Sequence, residues 1–202
     1  MEALRRSARS FAVFAGAAGG VLVAASPASA HPGHATTGFG SGFLHPLTGP
    51  DHLLAMVAVG IVAATWRSDR SLWLAPATFV GAMILGGLAG VLGAPLPGAE
   101  VMIAASVLLL GVAIAGALTD GAAANWVLPA LAVAGIAHGH AHGVEAPTAV
   151  HPALFIAGFV LATTALHVVG VGVGTVVRDR RLVRMTIGAA TASAGALLLL
   201  AV

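Results

Sequence analysis

Long apolar runs separated by short polar links dominate the pattern along this chain. Six runs follow one another at roughly 50–66, 72–93, 99–118, 124–142, 152–177 and 183–201, and a further hydrophobic run from Phe39 leads into the first. A membrane span needs about 20 largely apolar residues, so each run predicts a transmembrane helix. The links are short, as in Arg67-Ser68-Asp69-Arg70 and Ala94-Pro95-Leu96-Pro97-Gly98. Ahead of the first span, Pro46, Gly49 and Pro50 are expected to break helical continuity, since proline lacks the backbone donor and clashes with the preceding turn. Irregular backbone at membrane depth is tolerated only where it is buried in protein or lines a cavity. The prediction is an all-α polytopic membrane protein of six transmembrane helices, the first preceded by a broken or re-entrant segment. Small-xxx-small pairs such as Gly86/Gly90 and Gly170/Gly174 suit close helix packing.

The first thirty residues read differently. Arg5, Arg6 and Arg9 precede the apolar stretch Phe11 to Ala25, and Ala28-Ser29-Ala30 matches a small-residue cleavage site. That is the pattern of a secretory signal peptide, which gives a domain division of 1–30 signal peptide and 31–202 single transmembrane domain. Cleavage would leave His31, with His34 close behind, at a mature N-terminus outside the membrane. Arginines point to the same topology. Arg67 and Arg70 follow the first span, while Arg178, Arg180, Arg181 and Arg184 lie around the link after the fifth. Both links fall on one side, and the positive-inside rule makes it the cytoplasm.

Composition sharpens this picture. The 202 residues are 58% hydrophobic and 8% charged, with a mean hydropathy of +0.99, against about 25% charged in an ordinary soluble domain. The net charge of +2 implies no nucleic-acid partner. With no cysteine, disulfides and thiolate sites are excluded, and His, Asp, Glu and Met are left as side-chain metal ligands.

Two histidine clusters stand out against this background. The first runs His45-Pro46-Leu47-Thr48-Gly49-Pro50-Asp51-His52, and the second His138-Gly139-His140-Ala141-His142-Gly143-Val144-Glu145. Ionisable groups within membrane spans are costly and point to function, and imidazole with carboxylate suits divalent transition metals. In the first cluster, Asp51 either caps the following helix or joins His52 as a ligand, with His45 folding back over the break. Met56 lies one turn past His52 and reads as packing or as a soft ligand. In the second cluster, His138 and His142 share one helix face, extended by Glu145 if the helix continues past Gly143. His140 points elsewhere. His167 lies deep in the fifth span, about 22 Å from its start, and reads either as a neutral interhelical histidine or as a second station on a path to the cytoplasm. The six-span count carries both clusters to the outer side. The metal candidates are therefore His45, Asp51, His52, His138, His140, His142, Glu145 and His167.

The segment from His45 to Gly60 resembles the signature of the HupE/UreJ family of nickel and cobalt permeases, and His138 to Glu145 resembles that family's second motif. Thr163-Thr164-Ala165-Leu166-His167 also looks like a family segment, while Pro50 departs from the usual pattern. The resemblance implies secondary transport of Ni²⁺ or Co²⁺ as substrate, with no resident cofactor and no enzymatic activity. It also implies a bacterial inner-membrane location and a hydrogenase or urease maturation system as the client. Oligomeric state and the choice between the two metals are left open. Metal binding requires deprotonated ligands, so uptake should fall as pH drops through the histidine range. A membrane metallohydrolase using the same His/Asp/Glu set and a haem protein with histidine ligands are the alternatives.

Overall fold

The computed structural model describes residues 38–66, 72–116, 118, 121–146 and 151–202. The signal peptide expected at 1–30, the link holding Arg67 and Arg70, and His31 and His34 all lie outside them. The described residues fall within one compact unit. Seven α-helices are described: α1 (Gly38–Thr48), α2 (Pro50–Thr65), α3 (Leu74–Val91), α4 (Ala99–Ala115), α5 (Val127–Glu145), α6 (Pro152–Val177) and α7 (Arg181–Ala201). A 3-10 turn, Gly121–Trp126, leads into α5.

Four of these stretches are long and apolar enough to cross a membrane: α3, Ala122–Glu145, α6 and α7. Helices α1 and α2 together make a fifth candidate, bent by 82°. At 17 residues, α4 is apolar but shorter, about 26 Å long at 1.5 Å per residue. It was expected to run on to 118. It ends instead at Gly116, whose φ of 100° is the left-handed conformation in which glycine terminates helices.

The predicted break before α2 is present but sits at one residue. Pro46 does not interrupt α1, which continues to Thr48 with Pro46 buried inside it. Its missing N–H removes the intrahelical bond to the Gly42 carbonyl, and the helix runs only two residues further. The chain turns at Gly49, which is extended (φ −90°, ψ 118°), and α2 begins with Pro50, a position that has no intrahelical donor to lose.

Four helix pairs make up most of the packing: α3 with α5, α4 with α7, α6 with α2 and α6 with α1. Each pair is built backbone to backbone. A Cβ on Gly139 of α5 would collide with the Met83 carbonyl of α3, and one on Gly143 with the Gly87 carbonyl. Gly86 and Gly90 of α3 reciprocate against the Ile136 and His140 carbonyls. In α4 and α7, Gly111 and Gly188 face each other in the same way, and Gly170 of α6 lies on the Val57 carbonyl of α2. Both small-xxx-small pairs singled out in the sequence therefore lie in helix interfaces. Where lipid is as apolar as leucine, packing of this kind is what holds helices together.

Candidate functional site

The site forms where the end of α1, the start of α2 and the end of α5 meet, with α6 packed alongside. Helix α5 continues through Gly143 to Glu145, because Gly143 is seated against α3 rather than ending the helix. His138, His142 and Glu145 thus lie along one face, as the i, i+4 spacing requires.

The break at Gly49 brings His45 back onto this face. His45 Nε2 lies 3.1 Å from Glu145 Oε2, a hydrogen bond between residues 100 apart in sequence. His142 Nδ1 is 4.0 Å from the same carboxylate oxygen. One ligand atom from each of His45, His142 and Glu145 falls within 4.8 Å of the others. Two imidazoles and a carboxylate so placed form a donor set suited to a divalent transition metal.

From this cluster the imidazoles continue inward in a row. Ring centroids are 4.6 Å apart for His45–His142, 4.1 Å for His142–His52 and 4.8 Å for His52–His138. Phe79 then stands 5.5 Å from His138 and 5.6 Å from His167. The outer end is the exposed one, at 57% for the Glu145 side chain and 31% for His45, and His138 at the inner end is completely buried. Phe155 and Phe159 of α6 wall the outer part, with Phe159 4.1 Å from His142.

Hydrogen bonding fixes the roles of individual nitrogens. Asp51 lies in the first turn of α2 and no side chain caps that helix. The Asp51 carboxylate instead meets the His52 ring, with Oδ1 3.0 Å from Nδ1. A carboxylate only accepts, so His52 Nδ1 carries the proton and Nε2 presents its lone pair. That Nε2 is buried without a hydrogen-bond partner, as are His138 Nδ1 and both ring nitrogens of His142. Buried polar atoms are normally satisfied, and each exception needs an explanation. These four nitrogens line the row between the two motifs.

The remaining candidates fall in different places. His140 is not part of the row; its Nε2 bonds the Ala94 carbonyl at 2.7 Å, tying α5 to the link between α3 and α4. A spacing of two from both His138 and His142 turns it off their face. His167 is buried beyond Phe79, beside the buried Thr163. It makes no hydrogen bond to another helix among the described residues. Met56 belongs to the apolar core.

Sequence reasoning passed over Phe79 and Ser106. Phe79 carried no signal, being one aromatic residue in an apolar helix. Ser106, buried in α4 with Oγ 3.0 Å from His138 Nε2, carried a faint one, as the sole hydroxyl in that helix.

Comparison with known proteins agrees with the two motifs. The profile described as HupE / UreJ protein matches residues 19–198. A curated relative, Protein HupE of Rhizobium leguminosarum bv. viciae, is 37% identical over 180 residues, covering 88% of this chain and 93% of the relative. No solved structure matches the chain significantly. With the apolar helices, the paired histidine motifs and a match over nearly its whole length, the chain is a membrane protein of the HupE/UreJ family.

Proposed function

We propose that this protein is a secondary transporter that admits Ni²⁺, or Co²⁺, through the bacterial cytoplasmic membrane. The observation that carries this reading is the row of imidazoles from His45 to His138, whose buried nitrogens lack partners. His45, His142 and Glu145 would capture the hydrated ion. His52 and His138, with Asp51 supplying negative charge, would replace further waters as the ion moves inward. Phe79 would separate this stretch from His167, the next ring on the way. His140 then has a structural role, despite its place in the motif.

In the accompanying topology, six spans follow a cleaved signal peptide, α4 spans a locally thin or adjusted bilayer, and the mature N-terminus is outside. The site would face the periplasm and Arg178 to Arg184 the cytoplasm. The 26 residues of α6 separate those ends by about 39 Å. The chain has no lysine, hence no P-loop for ATP. The membrane potential favours entry of a divalent cation by about 4.6 kcal/mol per 100 mV, twice the single-charge value, which is enough to drive accumulation. A hydrolase would need a cleft for a peptide or acyl chain. The cavity bordered by His142, between α3, α5 and α6, measures about 30 Å³, room for one or two waters.

The test is uptake of radioactive nickel at trace concentration with excess magnesium, by cells expressing the wild type or His52→Ala. Membrane insertion is checked for both. Accumulation by the wild type and background levels in the variant are expected. Failure of an inserted wild type to take up nickel or cobalt overturns the proposal.

A further inference from the structure

We infer that Ser106 is a positioning residue that locks His138 into the tautomer whose Nδ1 lone pair faces the metal route. The reasoning starts from counting protons. Ser106 Oγ lies 2.7 Å from the Ile103 carbonyl oxygen and 3.0 Å from His138 Nε2. A hydroxyl has one hydrogen to donate and two lone pairs. The carbonyl can only accept, so the hydroxyl hydrogen goes to Ile103. Ser106 Oγ must then accept from His138, which places the ring proton on Nε2. The opposite assignment would give up the Ile103 bond and leave a buried N–H at Nδ1 with no acceptor, which is costly away from water.

The result mirrors His52. There the Asp51 carboxylate holds the proton on Nδ1 and leaves Nε2 bare. In His138 the serine holds it on Nε2 and leaves Nδ1 bare. The two rings stand 4.8 Å apart at 88°, so two lone-pair nitrogens of opposite tautomers belong to neighbouring side chains from α2 and α5. Ordinary metal-bound histidines have their second nitrogen held by such a partner. Ser106 supplies it from α4, a helix that contributes nothing else to the row. It is uncharged, so it orients the fully buried ring without adding an ion at that depth.

The metal part of this inference rests on the proposed transport function, whereas the tautomer does not. Two readouts on the full-length protein in lipid vesicles separate them. Ring-nitrogen NMR on metal-free protein labelled in histidine, assigned with His138→Gln, should show His138 protonated at Nε2. Ser106→Ala should shift it toward the other tautomer, and Ser106→Thr, which keeps the hydroxyl, should preserve it. Titration with nickel(II) should give a Kd weakened about 10–100-fold in Ser106→Ala and near wild type in Ser106→Thr. An unchanged His138 tautomer in folded Ser106→Ala overturns the inference, as does nickel affinity equal to a nickel-binding wild type. If the wild type binds no nickel but the tautomer still switches, the transport reading fails and the role of Ser106 stands.

Discussion

On α5, the face toward α3 is built of glycines and the face toward α1 and α2 of imidazoles. Gly135, Gly139 and Gly143 place backbone on backbone, with no room for a Cβ. His138 and His142 leave ring nitrogens without partners. The first face is fully committed to packing, while the second keeps three of its four ring nitrogens unspent, His138 Nε2 being bonded to Ser106. One short repeat of Gly and His supplies both, because residues one apart on a helix turn 100° from each other. Stability and transport should therefore respond to opposite substitutions on the same helix.

The largest effect is expected on the glycine face. Gly139→Val drives side-chain atoms into the Met83 backbone, and overpacking a rigid interface costs about 3 kcal/mol or more. Little folded protein should be recovered, as read by protease resistance in membranes. Next comes His142→Ala, which removes a ligand ring buried against Phe159 but leaves the backbone-to-backbone contact with α3 intact. Uptake of nickel should fall to background while the protein still folds, with thermal unfolding in detergent lowered far less than in Gly139→Val. Loss of folding instead would erase the distinction between the two faces.

Two smaller effects sharpen the comparison. His167→Ala should lower the maximal uptake rate with KM unchanged, since it removes a ring beyond Phe79 but no capture ligand. A raised KM would move His167 into the capture site. His140→Ala should leave uptake unchanged and cost about 1 kcal/mol of stability through loss of the Ala94 bond. It is the control among the three histidines of α5, and a transport defect without a stability change would return it to the row.

Much of this division could be read in the sequence. His138, His142 and Glu145 share a face by spacing alone, and the Gly49-Pro50 step marks where the chain turns. The convergence of the two motifs followed from counting spans. What could not be read depends on tertiary partners. Pro46 resembles a helix breaker, yet α1 runs on past it to Thr48 and the chain turns only at Gly49. His140 has the same residue type and setting as its neighbours, and only the position of the Ala94 carbonyl separates it. Phe79 and Ser106 are ordinary residues for apolar helices until α5 places His138 between them.

The central claim is that both motifs hold one ion. It is tested most directly by X-ray absorption spectroscopy of the purified full-length protein loaded with one equivalent of nickel(II). The account predicts imidazole and carboxylate ligation that changes in both His45→Ala and His142→Ala, one substitution from each motif. A nickel spectrum indifferent to either substitution, with the metal still bound, would contradict it.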